Sequence, residues 1–508
     1  MNRPVVETPV VDTMYGPVRG TDDGTVMSFK GIRYAAPPVG ELRFRAPVPP
    51  QPWTEPADAD EFGSVCPQPP VPNFPINLGA APGEDCLTLN VWAPSAGESG
   101  IGDAKPVMVW VHGGAYVLGS GSQPYYNGHR LAADGDVIVV TLNYRLGVFG
   151  FLDVPGFDTN VGLRDVLAAL RWVRDNIAAF GGDPERVTLF GESAGAGIVT
   201  TMLAVPEAGG LFSAAIAQSS PVTSVYDRSR AQKVTEEVLD FLEIGAGDEH
   251  RLAAVPVPAL LAATKKVFDE IPSRNPGTLA FVPIVDGDVL HDYPVKMARE
   301  GATHPVPLII GTNKDEANLF RLMRSPLMPI TPRAITSMFN QIAGEQPDLQ
   351  LPTEEQLGTT YGKKGHISIA SDVGFRMPSV WLADGHNAVA PVYLYRFDYS
   401  TPIMKLLLVG AAHATELPYV WGTLGAPQDM TLKLGGAKSA KAVSKRLRTR
   451  WVNFATAAKP AGLPGEPEWT PYQDADRACL IIDSRDRIAY DVDARIRQAW
   501  GEDPVHLR

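Results

Sequence analysis

Three short, continuous apolar runs, Val107–Val111, Val137–Leu142 and Val187–Phe190, punctuate the middle of the chain. Each is rich in β-branched residues and lacks the alternation of a strand with one wet face. Each therefore predicts a strand buried on both sides, as in a parallel sheet. Between the last two, Leu163, Leu167, Leu170, Val173, Ile177 and Phe180 recur at spacings of three and four. That period puts them on one face of an amphipathic helix over Val161–Phe180, closed by Gly181-Gly182. Further strands are expected at Leu87–Trp92, Ala214–Gln218, Leu308–Ile310 and Val392–Phe397. Strands alternating with helices imply right-handed crossovers and an α/β fold, a mostly parallel sheet covered by helices on both faces.

Two stretches break this rhythm. Residues 222–279 and 319–390 show no strand pattern, read as mainly helical and fall between predicted strands. They are read as insertions in a single domain spanning 1–508, set over one edge of the sheet as a cap. Tyr15–Tyr34 mixes short β-prone runs with turn signals and predicts an antiparallel start. Ala35–Pro82 is Pro-rich but too apolar for a linker, which predicts an ordered, extended loop. Lys438–Arg450 carries six basic residues, but Val443, Leu447 and Trp451 recur every four, so a helix with a solvated basic face is expected rather than a binding patch.

The last buried run drives straight into Gly191-Glu192-Ser193-Ala194-Gly195, followed by an Ala-rich apolar stretch to Leu203. A serine that attacks must project from a tight strand-to-helix turn, and glycines two before and two after it leave room for the fold-back. The competing reading, a serine that only caps a helix, supplies no partners. A nucleophile needs a base, an acid that orients the base, and donors for an oxyanion. In hydrolases built on such an elbow the acid and base follow the serine in that order, beyond the carboxyl ends of late strands. After Leu308–Ile310 comes a polar turn with two carboxylates, Asp315 and Glu316. After Val392–Phe397 comes Gly410-Ala411-Ala412-His413. Glu316 and His413 are the leading pair. Upstream, Val109–Val111 runs into His112-Gly113-Gly114-Ala115, where consecutive unencumbered amides, with that of Ala194, can form an oxyanion hole.

Composition narrows the setting. The 508 residues are 44% hydrophobic and 20% charged, enough for a large core, and the formal charge of −12 disfavours nucleic acid or an anionic membrane as partner. The N-terminal MNRPVVETPVVDT has no apolar core of a leader, and no segment approaches membrane-spanning length. A cytoplasmic protein is expected, with secretion after leader removal left open. Three cysteines make no disulfide framework by count, and Cys479 is expected as a core thiol. His413 and Glu416 form an H-x-x-E, but no second ligand pair accompanies it, so no metal and no cofactor are expected.

The chain resembles the type-B carboxylesterases of the α/β-hydrolase family, the group that includes cholinesterases and bacterial para-nitrobenzyl esterases. The likeness rests on FKGIRYAAPPVGELRF (Phe29–Phe44), EDCLTLNVW (Glu84–Trp92), VWVHGGAY (Val109–Tyr116), NYRLGVFGF (Asn143–Phe151), FGGDPERVTLFGESAG (Phe180–Gly195), GTNKDEA (Gly311–Ala317) and GAAHATELPYVWG (Gly410–Gly422), in that order. It covers nearly the whole chain. The resemblance implies a serine carboxylesterase acting on small-molecule esters through an acyl-enzyme. By the same matching Ser193 is nucleophile, Glu316 rather than Asp315 the acid, and His413 the base. The oxyanion donors are then Gly114, Ala115 and Ala194, with Gly113, Glu192 and Glu416 as accessory residues of the gorge. It also implies a Cys66–Cys86 bridge, worth ~3 kcal/mol if formed, although a reducing cytosol opposes it. A monomer is expected, with a homodimer left open. Rivals are a lactone, carbamate, thioester or amide hydrolase, or a binding relative that has lost catalysis. Two departures bear on substrate. Ala115 replaces the third glycine of the family's G-G-G, a form associated with room for bulky alcohol groups. No tryptophan lies between Cys66 and Cys86 to stack a quaternary ammonium, which argues against choline esters. Thr88, where the family usually has tyrosine, has no account.

Overall fold

Alternate residues of the central strands feed two separate cores, which is why those runs are apolar without a break. In Lys105–Val111, residues Val107, Val109 and Val111 pack into one core while Met108 and Trp110 pack into the other, on the opposite face. The computed structural model describes residues 8–71, 76–95, 104–362, 365–425 and 431–505. Residues 1–7, which carry part of the leader argument, 72–75 of the Pro-rich stretch and 363–364 of the second insertion lie outside it.

The main sheet has eleven strands. In chain order they are β1 (Thr21–Asp22), β2 (Val26–Arg33), β3 (Thr88–Pro94), β4 (Lys105–Val111), β5 (Ile138–Leu142), β6 (Gly182–Glu192), β7 (Ala214–Gln218), β8 (Leu308–Asn313), β9 (Val392–Phe397), β10 (Ala478–Ile482) and β11 (Arg487–Tyr490). Across the sheet the order is β11-β10-β9-β8-β7-β6-β4-β5-β3-β2-β1. The run from β10 to β5 is parallel throughout, and both edges are antiparallel. Every strand expected from the pattern is present. β6 and β8 continue further into the site than their apolar runs suggest, to Glu192 and Asn313. The predicted crossover helix spans Val161–Asn176 and tightens into a 3₁₀ turn over Ile177–Phe180. Gly181, at φ 86°, ends it in the left-handed region.

The antiparallel start divides. Val10–Thr13 pairs with Gly16–Arg19, which pairs on its other side with Ala57–Asp58 in a small sheet of their own, while β1 and β2 join the main one. Residues 222–279 hold helices Arg228–Phe241 and Val257–Arg274. Residues 319–390 are helical over most of their described length, with a π-helical turn at Asp372–Arg376.

Two expectations need correction. In the helix Ala437–Ala457, Val443, Leu447 and Trp451 do face the core, but the basic face is not wholly solvated. Arg446 and Arg450 are buried, and Arg450 donates to the carbonyls of Pro460 and Pro467. Guanidinium groups fit there because buried carbonyl oxygens need donors. Cys66 and Cys86 are free, buried thiols, not a bridge. Leu146 N donates to Cys66 Sγ at 3.2 Å. Contact with Cys66, and then burial, push the Cys86 thiol well above its ordinary pKa, away from the thiolate that disulfide chemistry requires.

Candidate active site

Ser193 sits where β6 turns into the helix Ala194–Met202, with φ 56° and ψ −127°, a conformation that non-glycine residues seldom adopt. Surrounding backbone enforces it. A Cβ on Gly195 would lie 2.1 Å from Val111 O, and one on Gly191 would lie 2.7 Å from the Gly195 carbonyl carbon. Ser193 N donates to Gln218 O on β7 at 2.9 Å. The turn after β4 presses against the same point, since a Cβ on Gly113 would meet Glu192 O at 2.7 Å and Ser193 Cβ at 3.0 Å. Gly114, Ala115 and Tyr116 all have positive φ (121°, 53° and 60°), curling this turn around the serine. His112 braces it as a neutral ring: burial pushes its pKa down to about 4, and Nδ1 donates to Gly113 O at 2.9 Å. Ala194 opens its helix, so its amide has no intrahelical acceptor.

His413 lies across from this turn. Its Nδ1 is 2.7 Å from Glu316 Oε2. Glu316 Oε1 accepts from Ser219 Oγ at 2.5 Å and from Asn313 N at 2.7 Å, so the carboxylate is fixed by three bonds. Asp315 points elsewhere, accepting from Ala411 N at 3.0 Å and so pinning the loop that carries His413. Phe375, on the π-helical turn, and Phe320 pack against the imidazole, with ring centroids at 4.6 Å and 5.2 Å, and against each other at 6.2 Å. Its Nε2 faces Glu192 Oε1 at 3.2 Å, without a directed hydrogen bond. No hydrogen bond joins Ser193 Oγ to Nε2 among the described residues. Such bonds commonly tighten only when substrate binds.

Charge in this pocket is closely balanced. Burial pushes the His413 imidazolium down, but the Glu192 and Glu316 carboxylates outweigh it and lift its pKa to about 9. Burial lifts Glu192 to about 8 against the pull of His413. The two are linked: while Glu192 keeps its proton, one of the carboxylates that hold the imidazolium is lost, and the ring deprotonates more readily. Glu416 stands behind them, raised by burial above all, and accepts from Gln218 Nε2 at 3.0 Å and Asn313 Nδ2 at 2.5 Å. Gln218 Oε1 in turn accepts from Trp451 Nε1 at 3.0 Å.

Ser193, His413, Glu192, Gly113, Gly114, Ala115 and Ala194 all line one cavity of about 550 Å³, whose remaining wall is mostly apolar. Both helical insertions contribute to that wall, through Leu279 from the first and Phe320, Met328 and Phe375 from the second.

The chain matches the carboxylesterase family over residues 7–500. It is 38% identical over 500 residues to a para-nitrobenzyl esterase of Bacillus subtilis (strain 168), covering 96% of this chain and 98% of that one. The chain belongs to the carboxylesterase family. A phenmedipham hydrolase of Pseudarthrobacter oxydans is 32% identical, covering 94% of this chain and 96% of its own. A solved PNB esterase superposes with a TM-score of 0.84 at 36% identity, covering 97% of this chain and all of the other. This carboxylesterase therefore has the α/β-hydrolase fold and is a carboxylic ester hydrolase. Among its described residues no His, Cys, Asp and Glu cluster could hold a metal ion, and no helix is long and apolar enough to cross a membrane.

Sequence reasoning missed several residues of the carboxylesterase site. Ser219 and Asn313 bond Glu316, Gln218 and Asn313 bond Glu416, and Phe320 and Phe375 pack against the His413 ring. Asn313 was within reach, standing in the GTNKDEA motif at a strand end. The others leave no local signal.

Proposed function

We propose that ester hydrolysis runs through Ser193, His413 and Glu316 in two acyl-transfer steps. The observation that carries this reading is the 2.7 Å contact from His413 Nδ1 to Glu316 Oε2, which turns Nε2 towards the cavity that Ser193 lines. Ser193 Oγ attacks the ester carbonyl as Nε2 takes its proton, and the amides of Gly114, Ala115 and Ala194 stabilise the oxyanion. The imidazolium, held by Glu316, gives that proton to the departing alcohol. A water, deprotonated by the same nitrogen, then releases the acid and frees Ser193. Glu416 positions Asn313 and Gln218, and Glu192 sets how readily His413 sheds its proton.

The apolar wall favours uncharged esters, and Ala115 favours bulky alcohol groups. The segment between Cys66 and Cys86 gives Ile76 and Asn77 to the cavity and contains no tryptophan, which supports the exclusion of choline esters. The two helical insertions act as the cap of a single catalytic domain. Free Cys66 and Cys86 suit a reducing cytoplasm, where the enzyme works as a monomer.

The test is intact mass and peptide mapping after an organophosphonate ester probe, on wild type and Ser193→Ala, with para-nitrophenyl ester turnover alongside. One adduct on Ser193, with labelling and turnover both lost in the variant, is expected. Folded wild-type protein that neither labels nor turns over ester would remove the reading.

A further inference from the structure

The basic helix Ala437–Ala457 does more than bury two arginines. Together with the helix His129–Gly135 it encloses a cleft of about 780 Å³ that shares no lining residue with the cavity beside Ser193. Lys441, Lys445 and Arg448, at spacings of four and three, line it from one side of the long helix, and Arg130 lines it from the short one. Asp134 is the single carboxylate among the described lining residues, and it pairs with Arg448. Arg130, Lys441 and Lys445 have no ion-pair partner among the described residues. The cleft therefore holds an excess of three positive charges, in a chain of net charge −12. The two arginines also converge. Both press on Gly422, where a Cβ would lie 2.5 Å from Arg130 Cδ and 3.1 Å from Arg448 Nε. That Nε is buried and has no acceptor among the described residues. Cations gathered in one concavity repel each other, and a buried N–H without an acceptor is destabilising. One bound anion relieves both.

We infer that this cleft binds a compact polyanion, a small molecule bearing two or more phosphate or carboxylate groups. The arginines offer directed donors that match the oxygens of either group, and Lys441 and Lys445 add compact point charges beside them. The volume exceeds what a single small ion fills, and a concavity between two helices suits a small molecule rather than a polymer. The inference goes beyond the ester-hydrolase reading and does not rest on it.

Isothermal titration calorimetry of the whole chain with tripolyphosphate, citrate and acetate tests this. In wild type at least one of the two polyanions should bind at one site, about tenfold or more tighter than acetate, and weaken about tenfold from low to physiological salt. The tighter of the two identifies phosphate or carboxylate as the preferred group. Lys441→Gln with Lys445→Gln should weaken the binding about tenfold, and Arg130→Gln should do the same. Lys438→Gln with Lys459→Gln removes as much charge as the double lysine variant but from outside the cleft, and should leave the affinity within about twofold of wild type. An unchanged melting temperature without ligand checks that each variant is folded. No saturable binding of either polyanion, acetate bound as tightly, or equal losses in the cleft and control variants would overturn the proposal.

Discussion

The two halves of the active site are held by different means. The proposed nucleophile, Ser193, is fixed by backbone against backbone: Gly191, Gly113 and Gly195 each leave out a Cβ that a neighbouring main-chain atom would strike. The proposed acid and base, Glu316 and His413, are fixed mainly by polar contacts from distant parts of the chain, with Ser219 Oγ and the Asn313 amide on Glu316 and the Gln218, Glu416 and Trp451 chain behind them. Steric fixing tolerates almost no substitution, because backbone cannot step aside. Polar fixing can degrade by degrees.

The sharpest test of the polar half compares its two candidate acids. Glu316→Gln keeps the shape but removes the charge that stabilises imidazolium, so kcat/KM should fall by about 10³ to 10⁴. Asp315→Asn, whose side chain can still accept from Ala411 N, should stay within about tenfold of wild type. A larger loss for Asp315→Asn would reverse the assignment. In the steric half, Gly195→Ala should cost about 3 kcal/mol of stability, read as a drop in the denaturant midpoint, because Val111 O has no room to move. An unchanged midpoint would mean the elbow is looser than its contacts imply. Asn313→Ala removes a donor from buried Glu416 and should lower kcat by about ten- to a hundredfold through roughly 1–3 kcal/mol of unmet hydrogen bonding, with Asn313→Asp failing to rescue it.

The smallest effect separates Glu192 from the rest. An adjacent carboxylate lifts the His413 pKa, and the base works only as neutral imidazole, so activity should fall as pH drops through that raised value. Glu192→Gln removes one of the charges that raise it. The acid limb of kcat/KM should therefore move to lower pH by about one unit, while Glu316 stays bonded. A limb that does not move would show that Glu192 is already neutral throughout the working range.

The same contrast explains what could be read from sequence. The steric half left marks, because positions that exclude a Cβ must be glycine, and G-x-S-x-G and H-G-G are visible within a few residues. The strands were legible because burial on both faces makes them apolar without interruption. The polar half was only partly legible. Glu316 and His413 sit at strand ends, where topology points, but Gln218, Ser219 and Trp451 approach them through the tertiary fold. Nothing in their neighbourhoods distinguishes them from ordinary polar or core residues. The implied cysteine bridge was carried by resemblance alone: Cys66 and Cys86 are neighbours, but as free thiols, one of them accepting from the Leu146 amide, a contact that no local sequence pattern announces. Arg450 escaped notice because burial of a guanidinium depends on carbonyls at Pro460 and Pro467 that become neighbours only after folding.

The positive φ of Ser193 has an evolutionary reading. A serine in that conformation costs the folded chain on the order of 1–3 kcal/mol that glycine, with both signs of φ open to it, would largely not incur. Ser193→Gly is thus a change that selection for thermal endurance alone would welcome. Such a chain would gain endurance at the cost of its proposed nucleophile, so at this one position stability and the proposed chemistry ask for different residues.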